Sequence, residues 1–172
     1  MIAKAGRGQF HGAERLRLGR VSLTAKAELM RAAGPVRTIP LGKGTQPMAM
    51  APDDADFAQA AIWRIELPAN LDLSRDPLLR IHYVGDVARV TLNGRLLDDN
   101  FFNGKAFDLG LKRFAPEILN GDLRLEILPL QKHAPIYLAD EARPDFGKSD
   151  RIAQLRRLEI INHSESRLVA AP

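Results

Sequence analysis

Chemistry in this chain would have to come from carboxylates, aromatic rings and amides gathered near its middle, in the run Asp98-Asp99-Asn100-Phe101-Phe102-Asn103-Gly104. Two carboxyls facing one glycosidic bond, about 5–9 Å apart, are the equipment of a glycosidase. Asp98 and Asp99 are adjacent, and adjacent residues of a strand point to opposite faces, so they do not converge if Leu96–Asp99 is extended. One of them is expected to cap a turn and the other to be solvated. A binding role suits the cluster better. Rings beside polar turn residues can stack on a sugar face while Asn and Asp take its hydroxyls. The candidate ligand-binding residues are therefore Asp98, Asp99, Asn100, Phe101, Phe102 and Asn103. The competing reading is that one or both rings fill the edge of a core.

Other chemistry finds no support. His11, His82, His133 and His163 are never paired at ligand spacing, and cysteine is absent, so no metal site and no disulfide is expected. None of Ser22, Ser74, Ser149, Ser164 and Ser166 lies in a Gly-x-Ser-x-Gly elbow. Gly6-Arg7-Gly8 and Gly42-Lys43-Gly44 are too short to cradle phosphate. No catalytic residue and no cofactor is expected.

The elements that must position the cluster read as β-strands. Trp63, Ile65 and Leu67 alternate with Arg64 and Glu66; Leu79, Ile81 and Tyr83 alternate with Arg80 and His82; Ala88, Val90 and Leu92 alternate with Arg89, Thr91 and Asn93. Period two of this kind belongs to a half-buried sheet. Trp63 is expected in the core. Asn93-Gly94 lies between two such runs and predicts a type I′ hairpin turn. Asn103-Gly104 joins the aromatic pair to Ala106–Leu111, and Asn120-Gly121 precedes the alternating Leu123, Leu125 and Ile127. A later strand is expected near Arg157–Asn162, and an edge strand at Ala134-Pro135-Ile136-Tyr137-Leu138. Asp86 reads as a turn residue, with Arg89 able to pair with it or with Asp108.

The first part of the chain differs. Residues 1–43 carry nine Lys and Arg against Glu14 and Glu28, whereas the rest carries 16 basic and 19 acidic groups. The pI near 9.7 is thus the property of an N-terminal segment, and its separated charges suit a solvated linker rather than a nucleic-acid surface. Residues 1–14 read as irregular. Leu16, Leu18, Val21 and Leu23 suggest a strand kinked at Gly19, Ala25 to Ala33 a short helix ended by Gly34-Pro35, and residues 40–56 a long connection. No apolar run reaches 18 residues, so no membrane span is expected. No apolar segment follows Lys4 and Arg7, so no signal peptide is expected, and a periplasmic or a cytoplasmic home is equally compatible. The expected organisation is a basic arm over 1–35, a β-sandwich module over 36–163 and a tail over 164–172.

The ordered blocks Ala60–Pro68, Leu79–Arg89, Asn93-Gly94, Leu97–Gly104, Gly110-Leu111 and Ile127–Leu130 followed by Ala134–Leu138 resemble the C-terminal β-sandwich region of bacterial β-galactosidases of glycoside hydrolase family 35. The resemblance covers roughly residues 36–163. It implies an all-β fold, an antiparallel jelly-roll β-sandwich of the galactose-binding-like kind. It also implies a non-catalytic accessory module. In that family two glutamates in a separate TIM barrel do the chemistry, and 172 residues leave no room for such a barrel. The implied partners are that catalytic barrel, as a domain or subunit, and a galactose-containing glycan. The runner-up is a free-standing carbohydrate-binding protein using the Phe101–Asn103 loop.

Overall fold

A computed structural model describes residues 15–167, and the side chains of residues 23–162. Its strands are β1 (Arg15–Leu23), β2 (Lys26–Arg31), β3 (Ala61–Glu66), β4 (Leu78–Val84), β5 (Val87–Leu92), β6 (Arg95–Phe101), β7 (Phe107–Gly110), β8 (Leu123–Ile127), β9 (Leu130–Gln131), β10 (Arg151–Ile152) and β11 (Gln154–Arg167). The described residues include only short 3-10 turns besides, and no helix long and apolar enough to cross a membrane. The fold is all-β, and its strand pairings are antiparallel. One sheet runs β1-β11-β4-β7, a second β2-β3-β8-β5-β6, and a small ribbon pairs β10 with β9.

The alternation read in the sequence builds one core between the two main sheets. Leu79, Ile81, Tyr83, Phe107, Leu109, Leu158 and Ile160 come from the first sheet; Ile65, Ala88, Val90, Leu92, Leu123, Leu125 and Ile127 come from the second. The arrangement is sandwich-like. Burying one such side chain contributes on the order of 1.5–3 kcal/mol, so these faces carry most of the stability. Trp63 stands half-buried at the rim of this core, because β3 is separated from solvent only by the exposed strand β2. The Asn93-Gly94 turn has φ of +52° and +80°, the two positive values that a type I′ turn requires.

Three expectations change. Residues 25–33 form no helix. Lys26 to Arg31 pair with β3, setting Ala27 opposite Ile65 and Leu29 opposite Trp63. Ala, Glu, Leu and Met favour a helix locally, but the unpaired edge of β3 offers a ladder of backbone hydrogen bonds, and that tertiary opportunity overrides a weak preference. Second, the stretch expected as a linker supplies edge strands to both sheets, since Arg15 to Leu23 pair with β11. At the other end β11 runs to Arg167, past the expected start of a tail. The expectations for residues 1–14 and 168–172 lie outside the described residues. Third, residues 134–138 form a loop rather than an edge strand, and Tyr137 on it is 92% exposed. Pro135 has no N–H to give a ladder, and the neighbouring ribbon is only two residues long.

The core makes a direct prediction. Leu125→Ala removes a fully buried side chain and is expected to cost about 2–5 kcal/mol. Leu96→Ala, at a half-exposed position on β6, should stay within about 0.5 kcal/mol. Equilibrium urea unfolding of the two variants compares them directly.

Candidate functional site

The corner between β4 and β5 is where polar groups enter the interior. Gly85 is required there, because a Cβ would run into the Ile127 side chain and the Leu128 carbonyl. That close approach brings Asp86 under cover. Its N–H donates to the Leu128 carbonyl at 2.8 Å, its carbonyl accepts from the Phe102 N–H at 3.0 Å, and the residue is 4% exposed. Such a carboxylate needs a cation. Arg37 supplies it from the long connection between β2 and β3, with Nε donating to Asp86 Oδ2 at 2.9 Å. Arg37 Nη2 donates to the Met50 carbonyl at 3.2 Å, which holds the connection in place. Its Nη1 lies 3.9 Å from Asp56 Oδ2 and makes no hydrogen bond. Burial pushes the Asp86 carboxyl above its ordinary value; the hydrogen bond and charge of Arg37 pull it back, and Asp56 pushes it up again.

Above this pair lies an open groove of about 430 Å³. Met48, Met50, Phe101, Pro135, Ile136 and Tyr137 are among the residues that line it. Phe101 is 53% exposed and Tyr137 still more so. Phe102 is buried below them, edge-on to Tyr83 with ring centres 5.6 Å apart. Among the described residues that line the groove, Asp86 is the one carboxylate.

The sequence-predicted cluster does not converge, because β6 carries most of it and a strand turns successive side chains to opposite faces. Phe101 and Phe102 line the groove, the second from beneath. Asp98 pairs with Arg113 at 2.8 Å and accepts from the Asp99 N–H. Asp99 stands opposite Arg89 in the strand register. Asn100 is taken up by Tyr83, whose hydroxyl donates to its backbone carbonyl at 2.7 Å and its side-chain oxygen at 3.0 Å. That Tyr83 hydroxyl is pushed well above its ordinary range, chiefly by burial. Asn103 Oδ1 accepts from the Lys105 N–H and closes its own turn.

Arg37 and Tyr137 were not among the predicted site residues, and Asp86 was read only as a turn residue. Arg37 and Asp86 are 49 positions apart, and nothing periodic links them. The one available signal was a Gly-Asp pair at the junction of two apolar strands. Arg89 bonds neither Asp86 nor Asp108. Its Nε donates to Glu126 at 2.9 Å, its Nη1 to Asp54 at 3.0 Å, and it lies over the Phe57 ring; Arg80 takes Asp108 instead. His82 Nε2 lies 2.7 Å from Glu159 Oε2, with Arg157 beside both. Among the described residues no group of His, Asp and Glu is placed to hold a metal ion. Comparison with family models, with curated proteins and with solved structures gives no match.

The Arg37–Asp86 pair has a signature in pH. Arg37→Met leaves Asp86 buried without its cation and should cost about 3–5 kcal/mol near neutral pH. A carboxyl whose folded-state pKa is raised binds its proton more tightly in the folded chain, so its contribution favours folding in acid and is lost as pH rises through that raised value. Removing Arg37 raises it further. The gap between wild type and Arg37→Met is therefore expected to narrow as pH falls from neutral toward the carboxylate range. Urea unfolding across that range reads it; a gap that stays constant contradicts the assignment.

Proposed function

We propose that this chain is a non-catalytic accessory module of a β-galactosidase, a jelly-roll β-sandwich of the galactose-binding-like kind that supports a separate catalytic barrel. The observation that carries the reading is the groove. It presents exposed rings on an open surface, and its one carboxylate among the described lining residues is tied to Arg37 at 2.9 Å. A glycosidase needs one carboxyl to give a proton and another to receive charge or activate water. A single charge-compensated aspartate does neither, whereas exposed aromatic and methionine side chains around it suit holding. The resemblance of the ordered blocks from Ala60 to Leu138 to the sandwich region of family 35 enzymes supports the same assignment.

Two outcomes are expected. The purified chain should not turn over a nitrophenyl galactoside; turnover abolished by Asp98→Asn or Asp99→Asn would overturn the non-catalytic reading. It should associate with the isolated catalytic barrel of a family 35 β-galactosidase in sedimentation velocity. Absence of a complex at concentrations well above the micromolar range would remove the docking role.

A further inference from the structure

We propose that a second, smaller cleft, between the loop after β9 and the segment before β10, binds a small amphiphilic acid: one carboxylate carried on an aryl group or a short alkyl chain. The cleft has a volume of about 270 Å³. It shares Ile136 with the groove over Asp86 and otherwise uses different residues. The proposal goes beyond the accessory-module reading and does not depend on it.

The floor of the cleft is hydrocarbon. Leu130 and Leu138 are buried there, and Ala134, Ile136 and Phe146 pack partly buried against the same core. These last three keep apolar surface in contact with water, which an apolar occupant would remove. Main-chain bonds hold the surrounding segments in place. The Lys132 N–H donates to the Asp150 carbonyl at 2.7 Å, and the Ala134 N–H to the Gln131 carbonyl at 3.1 Å. In the later segment the Arg143 N–H donates to the Asp140 carbonyl at 3.2 Å, and the Ser149 N–H to the Phe146 carbonyl at 3.0 Å. A cleft pinned in this way stands formed before its ligand arrives, so little ordering entropy is lost on binding.

The mouth carries charge of one sign. Gln131, Lys132, His133 and Arg143 are exposed there, and no Asp or Glu is among the described residues that line the cleft. Arg143 donates from Nε to Asp140 Oδ1 at 3.2 Å, a bond that leaves both Nη groups outside it. Asp145 accepts from the Gly147 N–H at 2.8 Å and lines the neighbouring cleft beside His82 instead.

Floor and mouth together select the ligand. A sugar or a phosphate would set polar oxygens against Leu130, Ile136 and Leu138, where nothing pairs with them. An amine would meet cations. A hydrocarbon acid satisfies both conditions, with its ring or chain on the floor and its carboxylate among Lys132, His133 and Arg143. Size agrees, since a cavity of about 150 Å³ already accommodates a benzene ring, and this one has room for phenylacetate or octanoate.

Calorimetric titration of the full chain with octanoate and with phenylacetate, each against its uncharged amide, tests the assignment. The acids are expected to bind saturably and more tightly than the amides. Combining Lys132→Gln with Arg143→Gln should weaken the acids roughly fivefold or more and leave the amides unchanged. Both side chains are exposed, so the double variant keeps the core, and unchanged thermal unfolding verifies that. Removing the rings of the other groove, with Phe101→Ala and Tyr137→Ala, should leave binding of the acids as it was. No saturable heat with either acid up to about 10 mM overturns the site. So do equal affinities for acid and amide, or a preference for the acid that survives in the Lys132→Gln, Arg143→Gln variant. Binding lost with Phe101 and Tyr137 overturns it too, by moving the ligand to the groove over Asp86.

Discussion

The Arg37–Asp86 ion pair organises more of the molecule than its size suggests. Moving two charges out of water is costly, and such a pair persists only where geometry and further hydrogen bonds compensate. Here Asp86 is fixed through its backbone to Leu128 and Phe102, and Arg37 through Nη2 to Met50. The pair therefore joins the β4–β5 corner, the start of the residues after β6, and the connection between β2 and β3. That connection has few other anchors, among them the hydrogen bond from Gly34 to Gln59 and the packing of Phe57 with Ala60, Val87 and Leu128. Within the connection the Gly42 and Met50 N–H groups donate to the Met48 and Pro40 carbonyls, and Arg37 ties that small hairpin to the β4–β5 corner.

Arg89 plays a related part on the neighbouring strand. Its guanidinium lies 3.8 Å from the centre of the Phe57 ring while bonding Glu126 and Asp54. A planar cation can satisfy carboxylates at its edge and a ring on its face at once. The 3-10 turn over Asp56–Gln59 is thus held against β5 by an arginine from that strand, just as Arg37 holds the far side of the same connection.

What the sequence made legible follows from how local each signal is. Alternation in Leu79–Tyr83, Ala88–Leu92 and Leu123–Ile127 is set by the period of a single strand, and the Asn93-Gly94 turn by two residues alone. Both could be read without a partner. Strand β2 could not, because its state is decided by β3, more than 30 positions later. The same holds for the site. A run of polar and aromatic residues looked like one cluster, yet strand geometry sends Asp98 to Arg113, Asn100 to Tyr83 and Phe101 to the groove. The residues that do meet, Arg37, Asp86 and Tyr137, come from three separate loops, and only the closed sheets bring them together.

The pairing of β1 with β11 sets Arg15 beside Arg167, the two ends of the described chain. Few local contacts reward the early steps of such a topology. A loop that spans nearly the whole chain must close before this ladder can form, and its entropy is lost before any hydrogen bond returns it. High contact order of this kind belongs to sheets that fold in milliseconds to seconds rather than microseconds. Until that ladder closes, β11 is a bare sheet edge with the backbone groups on one side unpaired, so the interval before closure is when the chain is most exposed to strand-to-strand association with its neighbours.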